Sequence, residues 1–548
     1  MASDPKKIGS TEHKLSSSKS KAETEEEKSQ HVQGHTGTAN ISSRYNNIIS
    51  KGNLIHSGPL SVYQLRPKKE KFEFFTKMTV GEKSLDKTNR TILLVGESGA
   101  GKSTLINALF NYSIGVKWEE KVWFQIIEDE KRSQSESQTS DVIVYEIFGF
   151  EDKNLPYSLS IIDTPGFGST KKTTDDGKVS KKLFHLFQSE DGVYKVNAVG
   201  LVMKATGNRL SDRLKYILDS VMSLFGKNLE ENIVALITHS DGVKPKNVLE
   251  ALETANIKCA KNQKYEPAHF LFDNQQNTLR TKDNNCALEA AWRVTERGMS
   301  QFTQFLKGSE PQKLKKTVEV LKERITLTAC IQNLEDRIKQ TELKQTEIKQ
   351  IQEALQKHEG EMKQNEKFTV EVDEVYKDKQ NVDGGMWLFF YQGAVCCKVC
   401  EENCHYPGCT KAWYPKHCEV IKDGCCTVCT NKCPVSDHVK ENWIYVTKTK
   451  KVQKTVQEMK EKFEKNKSES HKKLSLLENL KKEMDQLTAE KSQFLDESYQ
   501  HVVKLEQIAL KADSASTIVH LDFLIEKMKE RGDTEKVQKL EEMKKQRE

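Results

Sequence analysis

Nowhere in the 548 residues is there an apolar run close to the roughly 18 residues needed to cross a bilayer. The most apolar stretch, Met386–Val395 (MWLFFYQGAV), is too short. The first twenty residues, MASDPKKIGSTEHKLSSSKS, lack the apolar core of a secretory signal, and Ala2 stands where N-myristoylation requires glycine. Net charge is also scarce. Against 80 Asp and Glu there are 86 Lys and Arg, a surplus of +6. So small an excess, interleaved with acids, gives no reason to expect nucleic acid as a partner. Proline is absent from 312–383 and from 435–548, which removes the strongest helix breaker from two long stretches. These absences set the expectation of a soluble, cytoplasmic protein without a transmembrane segment.

What is present divides the chain. Residues 1–43 are rich in Ser, Lys and Glu with few large apolar side chains, and are expected to be a disordered tail. From 44 to 308, short apolar runs (Thr91–Val95, Val142–Ile147, Leu159–Ile162, Val196–Met203, Ile233–Thr238, His269–Phe272) alternate with helix-like segments. That alternation predicts an α/β fold with a mainly parallel sheet covered on both faces. In 309–380, Leu314, Val318, Leu321 and Ile325, then Leu327, Ile331, Leu334 and Ile338, step by three and four, the seam of a coiled coil or helical hairpin. Residues 446–548 read the same way, through Val452, Val456, Met459 and Phe463 and through Leu477, Leu480, Met484 and Leu487. A cysteine-rich module, 381–445, lies between the two.

The apolar run Thr91–Val95 opens directly into Gly96, Glu97, Ser98, Gly99, Ala100, Gly101, Lys102, Ser103 and Thr104, a full GxxxxGK[ST] P-loop followed by a helix. Its glycines let backbone N–H groups curl around phosphates at a helix N-terminus. Lys102 is expected to reach the β- and γ-phosphates, and Ser103 to ligate Mg²⁺. Some sixty residues on, Asp163-Thr-Pro-Gly166 ends the next apolar strand. There the carboxylate would hold Mg²⁺, and the Gly166 N–H would meet the γ-phosphate. Ile233–Ile237 leads into Thr238, His239, Ser240 and Asp241. An aspartate so placed can accept both guanine N1–H and N2–H, a donor pair that adenine lacks, and so would select GTP. An ordinary Asp-Gly turn is the bland alternative. Asn274, after the following strand, is a second candidate base contact. In the polar loop 129–141, Thr139 is the candidate switch threonine for Mg²⁺, with Ser137 and Ser140 as alternatives.

The segments TILLVGESGAGKSTLINALFNY, DTPGF, THSD and VGLVMKATGNRLSDRLKYI resemble the septin-like GTPases and, within them, the immunity-associated (GIMAP-type) GTPases, over about residues 45–306. The whole chain is similar to a vertebrate group that fuses such a G domain to a cysteine-rich segment. The resemblance implies a P-loop G domain in which a hydrophobic residue, here Phe167, replaces the water-orienting glutamine, with slow turnover as the consequence. It also implies that an arginine beyond the fourth strand can act across a dimer. Gly207-Asn-Arg209-Leu-Ser offers Arg209, one residue out of register and without the family's aromatic residue; an exposed arginine at a helix start is the alternative reading.

Ten of the thirteen cysteines fall between Cys396 and Cys433 in a repeated CxxCxxxC pattern. Paired CxxC turns supply half of a tetrahedral zinc shell each. Cys397, Cys400, Cys404, Cys409, Cys418, Cys426, Cys429 and Cys433, with His405 and His438, would fill two structural zinc sites with ligands to spare. Cys396 and Cys425 are extras, and Cys259, Cys286 and Cys330 read as packing residues. A disulfide framework would need an oxidising compartment, and a redox CxxC would need a βαβ setting. The reading is a GTP-binding switch or slow GTPase that forms homo-oligomers through its G domain and coiled coils. A scaffold with a permanently bound nucleotide and a zinc-dependent interaction adaptor are the rival readings.

Overall fold

The computed structural model describes residues 43–127, 141–151, 153–167, 174–206, 211–357, 369–382, 386–387, 390–391, 393–407, 409, 414–455, 458, 476–512 and 515–545. Eight strands form the central sheet: β1 (Lys68–Lys71), β2 (Phe75–Val80), β3 (Asn89–Gly96), β4 (Val142–Ile147), β5 (Ser158–Asp163), β6 (Ala198–Lys204), β7 (Ile233–Thr238) and β8 (His269–Leu271). Their order is β8-β7-β6-β3-β5-β4-β2-β1. Only β1 against β2 and β4 against β5 run antiparallel. The apolar runs are continuous because both faces are covered, and alternate residues serve different cores. Ile92 and Leu94 face one core, with Leu105 and Leu109 of α1 (Lys102–Ser113) and Met299 and Phe302 of α5 (Asn285–Gly308). Leu93 and Val95 face the other, with Leu183 and Phe187 of α2 (Thr174–Gln188), Ile217 and Val221 of α3 (Asp212–Met222), and Val248 and Leu252 of α4 (Lys246–Thr254).

Beyond the sheet runs α6 (Lys315–Lys357), whose 43 residues span about 64 Å at the α-helical rise. Its two expected apolar seams find different partners, both within the chain. Leu314 and Leu321 join the core beneath α2 and α3. Leu327, Ile331, Leu334 and Ile338 pack with Phe494, Leu495, Val502 and Leu505 of α7 (Leu476–Ile508), with Leu521, Leu524 and Met528 of α8 (Ala515–Arg531), and with Leu540 of α9 (Thr534–Lys545). The stripes expected to carry self-association are therefore covered by the chain's own helices. The loop after α7 also folds back on the G domain. There the Leu510 N–H donates to Phe225 O at 2.9 Å, and Lys511 Nζ meets the buried Asp219 carboxylate at 2.6 Å.

The helical reading of 309–380 and 446–548 needs correction at two places. Residues Thr369–Asn381 (β9) and Trp443–Thr455 (β13) are strands, paired antiparallel from Thr369↔Thr455 to Asn381↔Trp443. Absence of proline and glycine suits a strand as well as a helix, and the spacing of Val452 misled. Alternation in Thr-Val-Glu-Val-Asp-Glu-Val-Tyr is the better signal. Acidic β9 faces basic β13, with Glu374–Lys450 at 3.1 Å and Asp378–Lys448 at 2.7 Å. Val456, Met459 and Phe463 lie outside the described residues, as does the tail up to 42. Between the two ribbon strands sits the cysteine module, around a sheet ordered β11-β10-β12 from β10 (Ala394–Cys397), β11 (Glu402–His405) and β12 (His438–Glu441).

Candidate functional site

The phosphate-binding candidates gather at the C-terminal ends of β3, β5, β6 and β7, where open α/β sheets bind ligands. Gly99 and Gly101 hold φ of 76° and 91°, left-handed values that favour glycine. Lys102 is buried, and its Nζ donates to the Gly96 and Glu97 carbonyls at 3.1 Å each. Burial lowers its pKa, while the charges of Asp163 and Glu97 act in the opposite direction. Ser103 and Thr104 follow in the first turn of α1. Asp163 is fully buried at the end of β5. Gly166 sits so tightly on the P-loop that a Cβ there would come within 2.4 Å of Ser98 Cα. The Phe167 N–H donates to Gly96 O at 3.1 Å, and its ring is buried among Leu93, Val95, Leu183 and Phe184. A ring held in the core cannot orient water.

The base-reading candidates are tied to this loop. The Thr238 hydroxyl donates to Ala100 O at 2.7 Å, joining the end of β7 to the P-loop. His239 turns the chain with a φ of 53°, its Nδ1 3.1 Å from Thr238 Oγ1. Asp241 is exposed, and its Oδ1 accepts from the Val243 N–H at 2.9 Å. That is the Asp-Gly turn of the bland reading, and it uses one carboxylate oxygen, Oδ1, of an exposed side chain. The Ser240 N–H donates to Phe272 O at 3.0 Å, which brings the Asp241 and Asn274 loops together. Asn274 Oδ1 lies 3.4 Å from Thr295 Oγ1; its Nδ2 is buried without a hydrogen-bond partner among the described residues. Thr139 and Arg209 lie outside the described residues. One contact was not legible from motifs: Arg213 of α3 pairs with Glu97 of the P-loop at 3.0 Å.

The cysteine module collects all ten expected ligands into three groups, within each of which the ligand atoms lie within 4.8 Å of one another. These are Cys397, Cys400, Cys429 and Cys433; Cys404, Cys426, Cys429 and His438; and His405, Cys409, Cys418 and Glu419. Strand geometry sorts them, since neighbouring strand residues face opposite ways. On β10, Cys397 faces the ligand core, while Cys396 turns to Ala394 and Tyr445, where burial pushes its thiol up to about 12. Cys426 is buried beside an exposed Cys425. On β11, Cys404 and His405 part company into different groups. Backbone N–H groups point at the sulfurs: Cys400 N to Cys397 Sγ, and Cys433 N to Cys429 Sγ, both at 3.3 Å. Hydrogen bonds from Cys404 and Cys429 hold Cys426 down at about 3. Every cysteine is free, with Cys400–Cys433 and Cys409–Cys418 sulfurs at 3.6 and 3.8 Å, far beyond the ~2.05 Å of a disulfide bond. This donor set, soft thiolates with imidazole, fits zinc. Of the outlying three, Cys259 and Cys330 are buried and Cys286 is exposed.

Comparison with known proteins finds family resemblance in the nucleotide-binding region. Residues 90–288 match the family model for the AIG1 family. Septin-5 of Homo sapiens is 30% identical over 176 residues, covering 30% of this chain and 43% of that protein. Septin-1 of Drosophila melanogaster is 26% identical over 190 residues, covering 32% and 46%. The chain thus spans less than half the length of these curated relatives. Toc33 from Arabidopsis thaliana, solved in complex with Mg²⁺ and GMPPNP, aligns at 16% identity and a TM-score of 0.28 over 41% of this chain and 88% of that one. Residues 90–288 are thus similar to the AIG1 family and to septins. Among the described residues, no helix is long and apolar enough to cross a membrane.

Proposed function

We propose that this chain binds GTP with Mg²⁺ and acts as a slow GTPase or nucleotide-dependent assembly switch, with zinc holding its distal module. The observation that carries the reading is the tie from Thr238 to Ala100, which locks the base-reading loop to a P-loop whose Lys102 lies beside Asp163. Lys102 would neutralise the β- and γ-phosphates, with Ser103, Thr139 and Asp163 around Mg²⁺, an ion that offsets phosphate charge during transfer. Asp241 would accept from guanine N1–H and N2–H. Asn274 would donate its buried amide to an acceptor of the base, and His239 would flank the ring. Slow turnover follows from Phe167, whose ring is committed to the core. A dimer in which Arg209 reaches the partner's nucleotide would supply the missing charge, since a trans arginine adds ~10³-fold or more.

Cys397, Cys400, Cys429 and Cys433, and Cys404, Cys426, Cys429 and His438, are read as closed, structural zinc shells. Phe167 also favours a second reading, a scaffold whose nucleotide is a permanent structural ligand. Mass spectrometry of the nucleotide and metal that copurify with the full chain is the first test. Copurifying adenine nucleotide would refute the Asp241 assignment. Specific GTPase activity should rise with protein concentration, and Arg209→Ala should flatten that rise without weakening GTP binding. Activity independent of both would favour the scaffold.

A further inference from the structure

The third group, His405, Cys409, Cys418 and Glu419, differs from the other two. It shares no ligand with them, and it includes a carboxylate that no CxxC spacing announces. All four residues are buried. Three of four separations come within about 0.2 Å of the edges of a metal tetrahedron, and the fourth, His405 Nδ1 to Cys418 Sγ, is about 0.4 Å short. With Zn–S near 2.3 Å and Zn–N or Zn–O near 2.0–2.1 Å, the edges come to about 3.8 Å for S···S, about 3.5 Å for S···N or S···O and about 3.3 Å for N···O. In the structure Cys409 Sγ and Cys418 Sγ are 3.8 Å apart, His405 Nδ1 lies 3.1 Å from Cys418 Sγ, Glu419 Oε2 lies 3.7 Å from Cys418 Sγ, and His405 Nδ1 lies 3.4 Å from Glu419 Oε2.

The other oxygen of the same carboxylate points out of the group. Glu419 Oε1 lies 3.6 Å from Nε2 of His185, a buried residue of α2 whose ring stacks on Phe74 with centroids 3.9 Å apart. Lys181, one helical turn earlier on α2, feels the charges of Glu419, Cys409 and Cys418. Two thiolates and a carboxylate around one divalent ion leave a net negative site, which the cations of Lys181 and of Lys440, whose charge bears on Cys409, offset. Metal-binding carboxylates are commonly oriented by such outer partners. Helix α2 is the next helix in the chain after Asp163-Thr-Pro-Gly166, and at this group the cysteine module meets it.

We propose that His405, Cys409, Cys418 and Glu419 bind a third zinc ion, and that this ion clamps the cysteine module to α2 through the Glu419–His185 contact. The inference rests on the zinc reading of the other two groups, with Cys429 shared between those. Eleven ligand residues then satisfy three four-coordinate ions, because the Cys429 thiolate bridges two of them. Native mass spectrometry of the full chain should count three zinc ions. Cys409→Ser should leave two, and should speed hydrogen exchange along 179–188 while exchange at 397–400 and 426–433 stays unchanged. Glu419→Gln, which keeps the size and polarity of the side chain beside His185 but removes the carboxylate charge, should also leave two and serves if the serine variant does not fold. A wild-type count of two that neither variant lowers would overturn the third site but leave the zinc reading standing; a count of zero would overturn both. Loss of the third ion without faster exchange in α2 would overturn the clamp.

Discussion

The nucleotide site and the cysteine module are both loops on strand ends, but different things stand behind them. The P-loop follows Ile92–Val95, all fully buried, and rests on two apolar cores that include side chains from five helices of the G domain and from the start of α6. It presents mainly backbone to its ligand, so its shape exists before phosphate arrives. Of the ten buried residues that the module itself puts into its core, seven are cysteines. Such a core offers little apolar surface, and the grouped thiols repel once ionised, so under the proposed zinc reading metal would supply the folding free energy. On the proposed reading, one site selects a ligand and the other is made by one.

Stripping metal is the strongest way to break that comparison. Structural zinc contributes on the order of 10–16 kcal/mol of apparent binding free energy. A thiol-reactive chelator should therefore unfold 394–441, seen as fast hydrogen exchange, while GTP-analogue binding persists. Loss of both together would show that the G domain leans on the module. Next in size is Lys102→Ala, which removes charged hydrogen bonds worth about 2–3 kcal/mol and should weaken GTP some 30- to 150-fold, with the circular dichroism spectrum unchanged. Asp241→Asn should weaken GTP by about 2 kcal/mol and let xanthosine nucleotides compete, because the new amide can donate to the xanthine C2 carbonyl. Competition binding with ATP, GTP and XTP decides it.

Smaller effects sharpen the contrast. Gly166→Ala forces a Cβ to within 2.4 Å of Ser98 Cα, so Asp163–Gly166 must move by about 1 Å. It should reduce affinity for a γ-phosphate analogue by about 1–2 kcal/mol while leaving GDP nearly unaffected, as calorimetry would show. The smallest concerns the helical spine between the two regions. Burial would raise Glu323, but hydrogen bonds from His501 and Lys504 bring it down to about 2. A depressed carboxylate stabilises fully above its unfolded value near 4.5 and loses that contribution as pH falls toward 2. Glu323→Gln should therefore remove about 1 kcal/mol from the α6–α7 contact at neutral pH and flatten its acid dependence, read from hydrogen exchange across 495–508.

Much of the G domain was legible because its signals are local. A glycine-rich turn needs its residues in order, and a strand buried on both faces is an unbroken apolar run, as at Ile233–Thr238. The ribbon was not legible from missing prolines, since strands and helices both exclude them. Cys396 and Cys425 could be set aside as extras to the spacing that the resembling group retains; alternation along a strand is why they turn away.

The P-loop, the order of the strand-end motifs and the ten cysteine and histidine candidate ligands were all readable from the sequence, because each rests on residues close together in the chain. Tertiary structure alone decided the rest. It grouped those ligands in threes and fours, brought in Glu419, placed Arg213 on Glu97, and turned the seams of α6 inward onto the chain's own core and helices. The physical reason is that a ligand shell or a buried seam is a relation among segments far apart in sequence, and no local periodicity records which of several apolar or thiol-bearing faces a segment will meet.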